Sequence, residues 1–293
     1  MNNPIKLFGI INPISGTGKQ KNIRRLLAQH LDPKRFSLHA EETEYAGHAS
    51  ELAKKAISEK YDAVLAVGGD GTINEAARSL AFSRLALGII PCGSGNGLAR
   101  HLGIPMDTVK AIQWLNSARI GSMDTITANG QRFINVAGIG FDALISHQFA
   151  KMNSRGLSSY AKATFQSFLD YQEETYRIRI GKRTEEVKGM MLSFANSTQF
   201  GNNACIAPNA SFCDGKMNLC LVRKPKYNQI PDLMLKMFTN KVHLSPLYRE
   251  IVCEQATIEQ ESELGHLDGE PAIFGKTVEL KMDAGSLKIF SKI

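Results

Sequence analysis

The sequence predicts two domains in series: an open, mostly parallel α/β domain over residues 1–122 and a mainly-β sandwich over residues 123–293, whose last strand can return to the first domain. Three observations carry this expectation. A chain of 293 residues is long enough for two domains of ordinary size. Before Gly121, short β-like runs alternate with helical patterns, as in parallel strands covered by helices. After it, DTITANGQRFINVA forms two alternating runs joined by Asn129 and Gly130, the pair best suited to a tight hairpin turn.

In the first half the candidate strands are Ile5 to Ile11, Arg35 to Ala40, Ala63 to Val67 and Leu85 to Ile90. Between them, His48 to Ser58 puts Leu52, Ala53, Ala56 and Ile57 on one side at spacings of three and four, which predicts a helix. In the second half, strands are expected at Tyr176 to Ile180, Val187 to Phe194, Met217 to Val222, Ile251 to Ile258 and Thr277 to Met282. Helical interruptions are expected from Leu144 to about Tyr171 and from Ile230 to Phe238. Internal repeats, low-complexity segments and long linkers are absent from the sequence.

Composition narrows the class. A hydrophobic share of 43% supports a real core, and 35 Lys and Arg against 28 Asp and Glu give +7, which favours polyanionic partners such as nucleotide phosphates or an anionic membrane face. The basic residues are dispersed without an aromatic stacking platform, so nucleic acid is not an expected partner. The five cysteines are odd in number and form no CxxC pair, which points to a reducing cytoplasm rather than a zinc site or disulfide framework. MNNPIKLFGIINP does not read as a secretory signal, and no apolar run approaches the ~20 residues of a membrane span. His48 and His101 show no metal spacing and receive no role.

The segment DAVLAVGGDGTINEAARSL runs from a buried strand into Gly68, Gly69, Asp70, Gly71 and Thr72 and then a helix. Glycines let a backbone approach a polyphosphate closely, and the helix start adds free N–H groups and a positive dipole end. A carboxylate there repels phosphate, so Asp70 needs another task, such as holding a metal or accepting a proton, unless it merely caps the helix. PCGSGNGLARHLGI repeats the design with Gly93, Ser94, Gly95, Asn96 and Gly97 after the next strand, and a third polar turn, Asn12 to Lys19, follows the first strand. Such turns would share the carboxyl edge of a parallel sheet, where ligands bind. The third turn is not a Walker A loop, since Pro13 and Gln20 stand where glycine and Ser or Thr are required. Gly138, Gly140 and Ala143 match a dinucleotide fingerprint, but their strand belongs to an antiparallel hairpin, so that match is set aside.

NPISG at 12–16, GGDGTINE at 68–75, PCGSGNGLA at 91–99, GIGFDA at 138–143, APNASFCDGKMNL at 207–219 and LDGEP at 267–271 together resemble the catalytic domain of diacylglycerol, sphingosine and ceramide kinases of the bacterial type. They occur in that family's order over nearly the whole chain, and the GSGN loop and late DGE separate it from NAD kinases and phosphofructokinases, which carry similar GGDGT loops. The resemblance implies a NAD-kinase-like α/β domain and a lipid-binding sandwich. It further implies that ATP lies against Asn12, Pro13, Ser15, Gly16, Thr43, Gly68, Gly69, Asp70, Gly71, Thr72, Asn74, Glu75, Gly93, Ser94, Gly95 and Asn96. Asp268 and Glu270 are implied to reach the active site from the second domain, making Asp70 and Glu270 the two candidate proton acceptors. Asp214, with the carbonyls of Ser211 and Lys216, is similar to a structural Mg2+ site, although an Asp-Gly turn explains it equally well. Asp142 stands where such kinases hold the polar head of the lipid, and Phe149, Met152, Leu157, Phe165, Phe168 and Leu169 are implied to wall its chain, or else are plain core.

The expected activity is therefore Mg·ATP-dependent phosphorylation of a lipid hydroxyl, by a cytoplasmic enzyme that reaches the inner membrane face from the water side. Asp70→Asn is expected to keep its loop's shape while cutting turnover. DLMLKMFTNKVHL at 232–244 reads either as a helix on its own sheet or as a segment docking on anionic lipid, and Arg223, Lys224 and Lys226 as a solvated loop. An exposed sheet edge in the second half offers a surface for a homodimer. The rival readings are a kinase for a soluble substrate such as NAD and an inactive nucleotide-binding regulator.

Overall fold

The computed structural model describes residues 3–15, 22–151, 166–201 and 203–292. The chain forms two compact units: Met1–Thr125 with Ala284–Ile293, and Ile126–Asp283.

The first unit runs β1 (Ile5–Ile11), α1 (Ile23–His30), β2 (Phe36–Glu42), α2 (His48–Ser58), β3 (Ala63–Gly68), α3 (Asp70–Leu80), β4 (Ala86–Pro91), α4 (Gly97–His101) and α5 (Thr108–Ser117). Its parallel strands lie in the order β2, β1, β3, β4. Every residue of β3 and β4 is buried, because helices cover the sheet. Leu52, Ala53 and Ala56 form the buried stripe of α2, as their spacing predicts. Asp107 caps α5 by accepting the Lys110 N–H. The chain leaves along β5 (Arg119–Ala128).

The second unit contains β6 (Gln131–Phe133), β7 (Val136–Gly140), α6 (Phe141–Lys151), β8 (Glu174–Ile180), β9 (Arg183–Gly189), β10 (Met191–Ala195), β11 (Gln199–Gly201), β12 (Ala204–Cys205), β13 (Met217–Val222), α7 (Ile230–Phe238), β14 (Tyr248–Cys253), β15 (Gln255–Glu259), β16 (Leu264–Leu267), β17 (Glu270–Ile273) and the first part of β18 (Thr277–Ser291). One antiparallel layer pairs β18 with β15, β15 with β8 and β8 with β9. The other runs β14, β13, β10, β7, β16, β17. Between them lies a core that includes Ile139, Tyr176, Phe194, Leu219, Ile258 and Val278. A second cluster, including Met191, Val222 and Leu233 of α7, buries the other face of the β7–β10–β13 layer, so these strands read as continuous apolar runs.

Asn129 (φ 49°) and Gly130 (φ 76°) both adopt the left-handed conformation of the expected hairpin turn between β5 and β6. Two expected strands are each two. Val187 to Phe194 breaks at Met190, because β9 pairs with β8 in one layer and β10 with β13 in the other. Ile251 to Ile258 breaks at Glu254 for the same reason, β14 pairing with β13 and β15 with β18. The helix expected from Leu144 begins earlier, at Phe141; residues 166–170 are helical, and 152–165 lie outside the described residues. In the first unit, Lys288 and Ile289 of β18 pair in parallel with Ala86 and Leu87 of β4.

Candidate active site

In the first unit the strands β1, β2, β3 and β4 end at Ile11, Glu42, Gly68 and Pro91, so the turns that follow share one edge. β1 has β2 on one side and β3 on the other, so the chain changes winding direction there and the turns after β1 and β3 diverge around a crevice. Asn12 crosses it: its backbone N–H donates to Val67 O at 2.9 Å and its Nδ2 to Thr72 Oγ1 at 3.0 Å. Asn12 Oδ1 accepts the Ile14 N–H, which folds the turn containing Pro13 and Ser15; Gly16 lies outside the described residues.

The two glycine loops touch. A methyl group on Gly93 would meet Gly69 Cα at 2.7 Å, so a side chain on Gly93 is excluded. Asp70 joins the loops: one carboxylate oxygen accepts the Asn96 N–H at 2.7 Å and the other the Gly97 N–H at 2.8 Å. Asn96 (φ 52°) closes its own loop by accepting from Gly93 N and donating to Gly93 O. Gly95 leaves room for the carboxylate, since a methyl there would sit 2.7 Å from Asp70 Oδ2. Ser94 is exposed at the rim. The expectation that Asp70→Asn preserves the loop is therefore corrected, because an amide would turn its own N–H toward one of two backbone donors.

The first intrahelical bond of α3 runs from Ile73 N to Gly69 O, so the N–H groups of Asp70, Gly71 and Thr72 precede the hydrogen-bonded ladder. Asn74 is buried in the same helix. Glu75 points elsewhere, accepting the Gly47 and Ala49 N–H groups at 2.9 and 3.1 Å and so capping α2. That cap fixes the turn after β2, in which Thr43 N–H donates to Ile11 O.

In the second unit Asp142 sits in the first turn of α6, its side chain 12% exposed. Its Oδ2 accepts from Ser193 Oγ at 2.9 Å and from His266 Nε2 at 3.2 Å, while Oδ1 accepts the Ala143 N–H. His266 Nδ1 accepts the Gly269 N–H, which fixes the tautomer that donates from Nε2. The register explains the cluster: Ser193, Gly138 and His266 are direct neighbours across β10, β7 and β16. A methyl on Gly138 would overlap Asp142 Oδ2 and crowd His266 Nε2, so the glycine makes the space for the carboxylate.

LDGE is itself a hairpin, with Leu267 opposite Glu270 and the left-handed pair Asp268 (φ 53°) and Gly269 (φ 86°) at its tip. The Asp268 carboxylate accepts the Ile134 and Asn135 N–H groups. Ser146 Oγ donates to Gly269 O at 2.7 Å, and His147 Nε2 contacts the carbonyls of Gly265 and Ala272. Glu270 begins β17 in an exposed position. Sequence reasoning missed Ser193, His266, Ser146 and His147. The signal that the sequence offered was the position of His266 immediately before LDGE.

Asp214 opens an Asp-Gly turn: its Oδ1 accepts the Lys216 N–H at 3.0 Å, and Gly215 has φ 73°. Among the described residues no group of three or more His, Cys, Asp or Glu side chains is placed to hold a metal. Phe149 is exposed, while Phe168 packs edge-on against Phe141; Met152, Leu157 and Phe165 lie outside the described residues. No helix of the described residues is long and apolar enough to cross a membrane.

Residues 6–128 match the diacylglycerol kinase catalytic domain, and residues 135–290 match the YegS C-terminal NAD kinase beta sandwich-like domain. The chain belongs to the diacylglycerol kinase family. The diacylglycerol kinase of Bacillus subtilis (strain 168) is 30% identical over 220 residues, 73% of each chain. A Pectobacterium atrosepticum protein named "Probable lipid kinase YegS-like" is 28% identical over 243 residues, 80% of each chain. The fold is that of a diacylglycerol kinase crystal structure from Bacillus anthracis, with a TM-score of 0.75 and 20% identity over 100% of this chain and 98% of that one. The protein is thus a phosphotransferase of a lipid kinase family, and the geometry above belongs to its two family domains.

Proposed function

We propose that this kinase transfers the γ-phosphoryl group of ATP to a hydroxyl of diacylglycerol, a sphingoid base or a related lipid. The observation that carries the reading is the start of α3: three N–H groups ahead of the helical ladder, at the winding switch of a parallel sheet, beside a second glycine loop packed so close that Gly93 has no room for a side chain. Such a start attracts a chain of phosphates. The residues around ATP are Asn12, Pro13, Ser15, Gly16, Thr43, Gly68 to Thr72, Asn74 and Gly93 to Asn96. Glu75 acts one step back, through the turn it caps.

Phosphoryl transfer asks a protein mainly for in-line positioning and for neutralisation of spreading negative charge. An alcohol is too weak an acid to ionise freely at neutral pH, so a carboxylate accepts its proton as the new bond forms. Both Asp70 oxygens already accept backbone N–H bonds, which favours a positioning role for Asp70. Glu270, exposed beside a turn anchored through Asp268, is the favoured proton acceptor. Asp142, braced by Ser193 and His266, receives the polar head of the lipid.

Magnesium would enter with ATP, and at a second position the Asp214 carboxylate and the carbonyls of Ser211 and Lys216, an all-oxygen set, would hold it. With ATP it would neutralise phosphate charge. The test is radiolabelled ATP supplied with dioleoylglycerol, sphingosine and NAD in parallel. Labelled lipid is the expected product. Label in NAD alone would replace this reading by a soluble-substrate kinase, and ATP binding without any transfer would replace it by a regulator.

A further inference from the structure

Helix α7 carries an apolar side that its own fold does not use. It buries Leu233 and packs Met237 onto the second core cluster. At 100° per residue, Pro231, Met234, Leu235 and Phe238 fall on a different side, and Leu235 is 63% and Phe238 51% exposed. Asp232 and Lys236, ion-paired at 2.7 Å, mark the polar flank. Tyr227 and Leu244, just before and after the helix, are 72% and 61% exposed. Exposed apolar residues scattered singly need no explanation, but this is a cluster within one short stretch of chain.

Charge identifies the occupant. From Arg223 to Arg249 the sequence holds six Lys and Arg and a single acidic residue, Asp232; Arg223, Lys236 and Arg249 pair with Glu173, Asp232 and Glu185. A groove of ≈ 670 Å³ that reaches Tyr227 is lined by four cations, Lys188, Arg223, Lys224 and Lys226, against one carboxylate, Glu173, which pairs with Arg223. Lys224 spends its ammonium group on the carbonyls of Leu169 and Tyr171. Lys226 and Lys241 have no carboxylate within salt-bridge distance among the described residues. An apolar helix side rimmed by cations is the pattern of a helix lying at a lipid interface. A second copy of the chain on the same face would bring like charges together.

We propose that α7 and its basic rim dock the kinase on an anionic bilayer, with Leu235 and Phe238 entering the headgroup boundary and Lys226 and Lys241 facing lipid phosphates. The physical basis is independent of turnover, while the biological purpose rests on the lipid-kinase reading. The full chain is sedimented with vesicles of phosphatidylcholine alone or mixed with phosphatidylglycerol. Binding is expected only to the mixed vesicles, weakening with added salt. It should fall about fivefold for each of Lys226→Gln and Lys241→Gln, and by about tenfold or more for the double variant Leu235→Ser/Phe238→Ser. Thermal melts confirm that these surface variants fold.

Equal binding by wild type and variants, equal binding to both vesicle types, or no binding overturns the docking face. So does self-association that Leu235→Ser/Phe238→Ser abolishes, which would assign the face to a second copy. Turnover of water-soluble dihexanoylglycerol, measured alongside, is expected to be the same in wild type and variants. Vesicle binding without turnover of any lipid would keep the docking face and reject the lipid-kinase reading, and turnover without vesicle binding would do the reverse.

Discussion

Asp70 is fixed by two backbone donors inside a loop and Glu270 stands exposed at the start of β17, and these positions separate their expected phenotypes. Asp70→Asn sets an amide N–H against a backbone donor, Asn96 or Gly97, so it is expected to raise KM for ATP as well as to lower kcat. Glu270→Gln is expected to lower kcat by about a hundredfold or more with KM for ATP near wild type. Steady-state kinetics in ATP tests both, and the reverse pattern would move proton acceptance to Asp70. His266 is a positioning residue, its side chain only 4% exposed. His266→Leu removes one of the three donors to the Asp142 carboxylate, leaving Ser193 Oγ and the Ala143 N–H, and is expected to cost about 1–3 kcal/mol in urea unfolding. His266→Gln, which can present an N–H near the position of Nε2, should recover part of that loss and part of the lipid KM.

Turns decide function among the secondary elements. The Asp268-Gly269 tip needs positive φ at both positions, and Gly269 has φ 86°. Gly269→Ala is expected to cost roughly 1–2 kcal/mol and to lower kcat by displacing Glu270; unchanged kcat with reduced stability would detach the turn from catalysis. The Asn129-Gly130 hairpin was legible because its residues signal locally. The corners at Met190 and Glu254 were not, because neither carries a turn pair such as Asn-Gly, and the layer each strand joins is set by pairing with residues distant along the chain. Glycine roles followed the same division. Gly68 to Gly71 announce a phosphate loop by their spacing, while Gly138 reads as a stray fingerprint until strand pairing sets it under Asp142.

At the scale of the whole molecule, folding is linked to pH through a group with no catalytic role. Burial holds the His101 imidazole down to about 4, against 6.5 for the free side chain. Between those values the unfolded chain binds a proton that the folded chain refuses, so stability rises with pH across that window. The contribution is complete above about pH 6.5 and is lost as pH falls toward 4, by an amount of order 3 kcal/mol. Urea titrations across that range should show the slope, and His101→Gln should flatten it. The chain path also belongs to this scale: residues 284–293 join the first unit after the whole of the second has been made. That return places Phe290 in the first unit's core, edge-on to Phe36.

The sequence by itself determined the class of each half, the glycine loops, the turn at Asn129 and the family, because each is written in residues close along the chain, where local conformation and spacing carry the signal. Only the tertiary structure decided that Asp70 straps two loops, that Ser193 and His266 brace Asp142, and that the outer side of α7 faces solvent. Asp70 and Gly97 are 27 positions apart and Asp142 and His266 are 124, and such pairs meet only once strand order and register are set. Periodicity shows that a helix has sides, whereas packing alone selects which of them is buried.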